Sequence, residues 1–278
     1  MRIALTIAGS DSGAGAGIQA DLKTFAAHGV YGVTAVTAIT AQNTLGVMRS
    51  EPVASDLVAA QIEAVTSDIG AHAVKTGMLA NAAIVEAVAA AVADLELPFL
   101  VVDPVIVSSS GEPLIDDEGL DAMKKELLRR AHAVTPNLPE AEKLAGITIR
   151  SEEDRREAAR RIFDFGAALV VITGGHAPVG PGPVSNDPTD RIVDLVYDGE
   201  VFTEYATQRV SGRHTHGTGC TFSAALTAHL ALGRSLHEAL PRAQEYVSGA
   251  IRHAPGLGRG AGPMNQFWRL NIDKAGRL

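Results

Sequence analysis

Residues 1–40 read MRIALTIAGSDSGAGAGIQADLKTFAAHGVYGVTAVTAIT, and the order of patterns in this stretch decides the fold. Arg2 to Ala8 is an apolar run that reads as a first strand. Ile18, Leu22, Phe25 and Ala26 then recur at helical spacing, and Val33 to Thr40 is β-branched and strand-like again. A strand, a glycine-rich turn, a helix and a second strand make the repeating unit of a parallel sheet.

The unit repeats along the chain. Val58, Ile62, Val65 and Ile69 predict a helix with Ser55 as its N-cap. Ala73 to Thr76 predicts a short strand, Ala82 to Ala93 a helix, and Phe99 to Asp103 a strand ending in Asp-Pro. Asp116 to Arg130 is helical, Ala133 to Thr135 is a strand stopped by Pro136, and Ser151 to Phe165 is a helix with Ser151 and Asp154 in capping-box positions. Leu169 to Thr173 is a strand that Gly174-Gly175 ends, and Ile192 to Tyr205 predicts a hairpin around Asp198-Gly199. The segment from His176 to Asp190, rich in Pro, Gly and Asp, reads as a flap within a single domain spanning residues 1–278. A mainly parallel sheet with helices on both faces binds ligands beyond the carboxyl ends of its strands. Gly9, Thr76, Asp103, Asn137 and Gly174 all fall there.

Bulk properties narrow the function. Hydrophobic residues make up 46% and aromatic residues only 4%, so Ala, Val, Leu and Ile must build the core. The N-terminal apolar run breaks at once into Gly, Ser and Asp, which does not suit a signal peptide, and no run is long enough for a membrane span. A cytoplasmic protein is expected. A net charge of -8 argues against nucleic-acid or anionic-membrane partners. The single cysteine, Cys220, excludes an internal disulfide and a multi-thiolate zinc site.

Thr215-His216-Gly217-Thr218-Gly219-Cys220 is the sharpest local signal, because it opens a helix carrying Phe222, Leu226 and Leu230 on one face, with Gly233 as its stop. Glycines at a helix N-terminus bare N–H groups to an anion, and the helix dipole adds positive potential. Cys220 there is either a thiol of lowered pKa, able to act as a base, or a small packed residue. Gly9 to Gly17 resembles a dinucleotide fingerprint without its spacing, so a tight loop close to a small ligand is the plainer reading. Asn137-Leu138-Pro139-Glu140 suits a helix cap, and equally a magnesium held through water. Asp21 falls in the first turn of a helix, Lys75 ends a strand where it reaches a phosphate or the surface, and Met78 is by default a core side chain. His214 and His216 lack the further ligands that zinc requires.

AGSDSGAGAGIQADLKTF, TAITAQNTLGV, KTGML, DPV, TPNLPEA and THGTGCTFSAAL occur in this order over nearly the whole chain. Together they resemble the hydroxymethylpyrimidine/phosphomethylpyrimidine kinases of the ribokinase-like superfamily. That resemblance implies a ribokinase-like three-layer αβα sandwich, ATP with Mg2+ as cofactors, a homodimer, and two successive phosphorylations in thiamine synthesis. It further implies that Gly217, Thr218 and Gly219 form an anion hole, with Cys220 at the catalytic position. Gly9, Asp21, Gln42, Met78 and Val105 would line the pyrimidine pocket. Lys75, Asp103, Asn137 and Thr173 would lie near the ATP phosphates, and Asn137 and Glu140 would organise magnesium. Thr173 departs from the family pattern, which commonly has Lys before Gly-Gly-His. The nearest rival is a pyridoxal kinase of the same superfamily. A nicotinamide-dependent oxidoreductase lacks an acidic residue in the Val30-Tyr31-Gly32-Val33 stretch, and a non-catalytic ligand binder is supported only by Thr173.

Overall fold

A computed structural model describes residues 1–108, 111–174, 190–210 and 212–270. The expected flap from His176 to Asp190 lies, except for Asp190, outside the described residues. Nine strands form one sheet in the order β3-β2-β1-β4-β5-β6-β7-β8-β9. They are β1 (Ile3–Asp11), β2 (Tyr31–Asn43), β3 (Gly46–Pro52), β4 (Ala73–Thr76), β5 (Leu100–Val102), β6 (Ala133–Val134), β7 (Val170–Ile172), β8 (Arg191–Tyr197) and β9 (Phe202–Gln208). β2, β1, β4, β5, β6 and β7 run parallel, while β3, β8 and β9 join antiparallel at the two edges.

The helices are α1 (Gly17–Ala27), α2 (Ser55–Asp68), α3 (Ala82–Asp94), α4 (Asp117–Ala122), α5 (Leu138–Ala145), α6 (Glu152–Phe163), α7 (Thr218–Ala231) and α8 (Leu236–Arg252). Successive strand residues point to opposite faces, and this alternation divides the core into two layers. Leu5, Ile7, Val74, Leu100, Val102, Val134, Val170 and Ile172 pack with α2 to α6 on one face. Ala4, Ala73, Val101, Ala133 and Val171 pack with α1, α7 and α8 on the other. The small residues on the second face let α1 and α7 lie close to the sheet. The result is the expected three-layer α/β/α arrangement with a mainly parallel sheet.

Several local expectations shift. The helix over 116–130 is α4 followed by a π-helical turn at Met123–Leu127 and a 3-10 turn at Leu128–Arg130, with Asp116 as N-cap. Ala54 occupies the N-cap of α2, so Ser55 is its first residue. Ser151 caps α6 as expected, but the Asp154 carboxylate accepts from the Arg150 N–H, so the reciprocal box does not close. The hairpin forms with the Asp198 side chain accepting from the N–H groups of Glu200 and Val201. Strand β3 and helix α8 were not anticipated.

β1 lies between β2 and β4, and the chain leaves β1 toward one neighbour and later returns beside it on the other. Such a reversal opens a crevice at the carboxyl ends of the strands. The residues after β1, β4 and β5 face it.

Candidate active site

The first structure at the crevice is a mutual lock between two glycine-rich segments. Asp11, at the end of β1, turns its carboxylate back into its own loop. Its Oδ1 accepts from Gly13 N–H at 2.8 Å, and its Oδ2 from Gly15 at 2.9 Å and Ala16 at 2.8 Å. His216 Nε2 lies 3.0 Å from the same Oδ2. Burial alone would push the Asp11 carboxyl up, but the His216 contact and the Ala16 and Gly13 amides outweigh it and hold it below the ordinary value. The amides of this loop are therefore spent on Asp11, and the dinucleotide reading of Gly9 to Gly17 gives way to the tight-loop reading.

The second segment sits against the first. Gly217 has φ +81°, and a Cβ there would lie 2.0 Å from the Gly15 carbonyl oxygen. Only glycine satisfies both the left-handed backbone and that approach. Gly217 is the N-cap of α7, and no side chain caps this helix. Thr218 N–H donates to the Thr215 carbonyl at 3.3 Å, whereas the Gly219 and Cys220 N–H groups have no hydrogen bond among the described residues and are left for an anion. Thr218 and Cys220 are half-buried and Gly219 is exposed at this end.

Cys220 does not have the lowered pKa that its helix position suggested. Burial pushes its thiol up to about 12, with Lys75 opposing and Asp103 and Asp21 adding to the rise. The thiol is protonated at neutral pH and hydrogen-bonds toward Asp103, while the Gly17 amide approaches its sulfur.

Beneath Cys220 lies a buried charge cluster. Lys75 on β4 has no exposed surface. Its Nζ lies 3.0 Å from both carboxylate oxygens of Asp21 and 3.7 Å from Asp103 Oδ2. The surface reading of Lys75 is overturned, since its ammonium is an internal counter-ion. Burial opposes that charge, but Asp21 and Asp103 together hold it well above the ordinary lysine value. Asp21 is the fifth residue of α1 rather than part of its first turn, so it balances Lys75 and not the helix dipole. Thr6 donates to Asp21 Oδ2 at 2.6 Å. Burial nevertheless raises the Asp21 and Asp103 pKa values. Ser223, one turn beyond Cys220, donates to Asp103 Oδ2 at 3.0 Å.

Asn137 and Glu140 close a full capping box at the start of α5: Asn137 Oδ1 accepts from Glu140 N–H and Glu140 Oε2 from Asn137 N–H, each at 2.9 Å. The cap reading holds. Burial, with the neighbouring Asp103 charge, pushes the Glu140 carboxyl up to about 8. Thr173 bridges to Asn137 from the end of β7. Next to it, Gly174 N–H donates to the buried Asp194 at 2.8 Å.

The remaining pocket candidates gather on the β1–β2 side. A Cβ on Gly9 would meet Met78 Sδ at 3.0 Å, so the two are in contact, and Met78 is half-buried instead of sealed in the core. The Gln42 amide lies 3.1 Å from His216 Nε2. Val105 follows Asp103 in the loop after β5 and is also half-buried. The roles of Asp11, Thr6 and Ser223 were missed in the sequence. Of these only Ser223 left a signal, its three-residue spacing from Cys220 on a helix. Among the described residues, no group of three or more His, Cys, Asp or Glu side chains converges to hold a metal ion.

A bare helix N-terminus set over a neutral thiol and buried carboxylates, at the switch point of a three-layer α/β frame, is suited to phosphoryl transfer. The class so defined is the small-molecule kinases. Residues 11–265 match the phosphomethylpyrimidine kinase family, and the chain belongs to that family. A hydroxymethylpyrimidine/phosphomethylpyrimidine kinase of Bacillus subtilis is 46% identical over 264 residues, covering 95% of this chain and 94% of that protein. A thiamine biosynthesis bifunctional protein of Geobacter sulfurreducens is 47% identical, but the match covers 52% of its length. Among solved structures, a Bacillus subtilis pyridoxal kinase in complex with ADP superposes with a TM-score of 0.86 at 39% identity, over 98% of this chain and all of that one. A phosphomethylpyrimidine kinase of Clostridium difficile gives a TM-score of 0.77 at 39% identity, over 90% of this chain and all of that one.

Proposed function

We propose that the chain is a single kinase domain that transfers the γ-phosphoryl group of ATP to the hydroxymethyl group of 4-amino-5-hydroxymethyl-2-methylpyrimidine, and then to the resulting monophosphate, in thiamine synthesis. The observation that carries the reading is that two routes lead to the uncapped start of α7: Gln42 reaches it through His216, and Gly9, in contact with Met78, reaches it through Gly17, whose amide approaches the Cys220 sulfur. A pyrimidine beside Gly9 and Met78 sets its hydroxymethyl oxygen toward Cys220. Gln42 offers both a donor and an acceptor to the ring edge. Gly217, Thr218 and Gly219 hold the phosphoryl oxygens. A thiol near pKa 12 is a poor general base, so Cys220 orients and polarises the hydroxyl, and Asp103 is the carboxylate toward which the proton moves. Lys75 keeps Asp103 and Asp21 balanced, and Asn137 and Thr173 border the nucleotide phosphates.

The donor chemistry fits a hard cation, since Glu140, raised by burial and then by the neighbouring Asp103 charge, shares the site with a second carboxylate. Magnesium bound with ATP would offset that charge and neutralise the phosphates, with Glu140 and Asn137 reaching it through water because their side chains are already engaged in the cap. The exposed apolar side chains Ile39, Leu45 and Met48 on the β2–β3 hairpin support a homodimer, because a second copy would cover them. A cytoplasmic location is supported by the single free cysteine, and no helix among the described residues is long and apolar enough to cross a membrane.

Phosphorylation of pyridoxal is the second reading, favoured by the superposition on pyridoxal kinases, whereas the relatives by sequence favour the pyrimidine. Mass spectrometry of products formed with ATP, magnesium and either substrate separates them. Monophosphate followed by diphosphate from the pyrimidine is expected. Phosphate on pyridoxal alone overturns the substrate and leaves the kinase.

A further inference from the structure

We infer that His216 is a positioning residue that decides which end of the Gln42 amide faces the substrate, and that Asp11 holds His216 to that task. The inference rests on the reading of Gln42 as the pyrimidine-facing amide.

One ring nitrogen carries the argument. His216 Nε2 lies 3.0 Å from Asp11 Oδ2 and 3.1 Å from the Gln42 amide. Asp11 already accepts three backbone N–H groups and is buried, and its carboxyl is held below the ordinary range. An ionised carboxylate only accepts. The proton between the two groups therefore sits on His216 Nε2, whether the ring is neutral or cationic. A nitrogen that donates cannot accept, so Gln42 must meet it with oxygen.

The other end of the amide agrees. It lies 3.2 Å from Thr40 Oγ1, and that hydroxyl gives its proton to the Ser10 carbonyl at 2.8 Å. Thr40 has lone pairs left but no second proton, so it is satisfied by the amide NH2 and not by the amide oxygen. As drawn, Gln42 turns Nε2 toward His216 and Oε1 toward Thr40. The two ends have the same shape, so hydrogen bonding decides between them. Only the reversed orientation pairs every donor with an acceptor.

Neither residue is free to turn away. The Gln42 main chain is clamped on both sides by Ser12 Oγ, which donates to its C=O and accepts from its N–H, each at 2.8 Å. The His216 ring packs against Gly15, where a Cβ would lie 2.4 Å from Cδ2, and its own N–H donates to Gly262 O at 3.2 Å. The amide therefore presents a fixed order of donor and acceptor. A 4-aminopyrimidine offers a donor beside an acceptor, and its 4-oxo counterpart reverses them. The site is then built to accept the amino compound and leave the oxo compound with unmade hydrogen bonds.

Nitrogen-15 NMR of the imidazoles in the wild-type chain, with the His216 signal identified by its loss in His216→Gln, tests the proton directly. Nε2 protonated at neutral pH is expected, and an unprotonated Nε2 overturns the inference without any variant having to be active. Turnover of the 4-amino and 4-oxo pyrimidines tests the consequence. The wild type should prefer the amino compound by about tenfold or more, the effect of one hydrogen bond. His216→Phe should raise KM for the amino compound and erase the preference. His216→Gln, which returns an N–H to both Asp11 and Gln42, should restore it. A Phe variant that keeps the preference overturns the positioning role. Wild-type turnover of pyridoxal alone, with Nε2 protonated, overturns the substrate reading on which the consequence rests.

Discussion

Replacing Lys75 by Met removes a buried cation that serves two buried carboxylates. At an effective dielectric of about 20, unit charges at the observed 3.0 Å and 3.7 Å attract by about 5.5 and 4.5 kcal/mol. Most of that gross attraction is offset by the cost of desolvating three ions, but the variant keeps the cost for Asp21 and Asp103 and loses the attraction. Breaking a buried pair in this way costs about 3–5 kcal/mol, and that loss is expected in denaturant unfolding at pH 8. The pH dependence has a definite sign. Burial already raises the folded pKa values of Asp21 and Asp103, and without Lys75 they rise further above the unfolded value of about 3.9. A group with a raised folded pKa contributes fully below its unfolded pKa and loses that contribution as pH climbs through the folded one. The variant should therefore approach the wild type in acid, by up to about 1.4 kcal/mol per pH unit for each proton taken up. A loss below about 1 kcal/mol at pH 8, or one that does not shrink toward acid, refutes the reading of Lys75 as the counter-ion.

Cys220 is the chain's single cysteine, so alkylation reads it alone. Its reaction with iodoacetamide should show a midpoint far above the free-thiol value of about 8.5, whereas a midpoint near that value would contradict the buried neutral thiol. Cys220→Ala should keep the fold and pyrimidine binding by calorimetry and lose most phosphorylation. Gly217→Ala forces a Cβ onto the Gly15 carbonyl at positive φ, and should cost roughly 1–3 kcal/mol in thermal unfolding and lower kcat markedly. Thr173→Lys should raise ATP-dependent turnover in a steady-state assay, and an unchanged or lower rate would show that the chain compensates elsewhere.

The core strands and most helices were legible because each carries its own period. Leu5, Ile7 and Val74 alternate against Ala4 and Ala73, and the pattern of α7 opens where its glycines say it does. Strand β3 was not legible. Gly46-Val47-Met48-Arg49-Ser50-Glu51-Pro52 is an edge strand with much of its surface exposed, so no apolar alternation marks it. Helix α8 is opened by Ser235 and Glu238, a capping box that the sequence states plainly. In the site, residue types at strand ends pointed to the crevice that the place of β1 in the sheet opens, but partners could not be read. Lys75 shows why: its position announces a charge at a strand end, while its burial depends on Asp21, 54 residues away. Of the two readings of Cys220, the lowered pKa gives way for a related reason. A helix N-terminus lowers a thiol pKa only where burial does not outweigh it.

The lock between Asp11 and His216 joins residues 205 positions apart. Closing a loop of that length costs about 2 kcal/mol more than closing one of twenty residues, and the cost must be met before the two glycine segments stabilise one another. The proposed active site is thus the seam where an early segment of the polypeptide is sewn to a late one. During synthesis the sheet can grow strand by strand, yet the proposed phosphate cradle is incomplete until α7 has arrived. Activity in this protein reports completion of the fold.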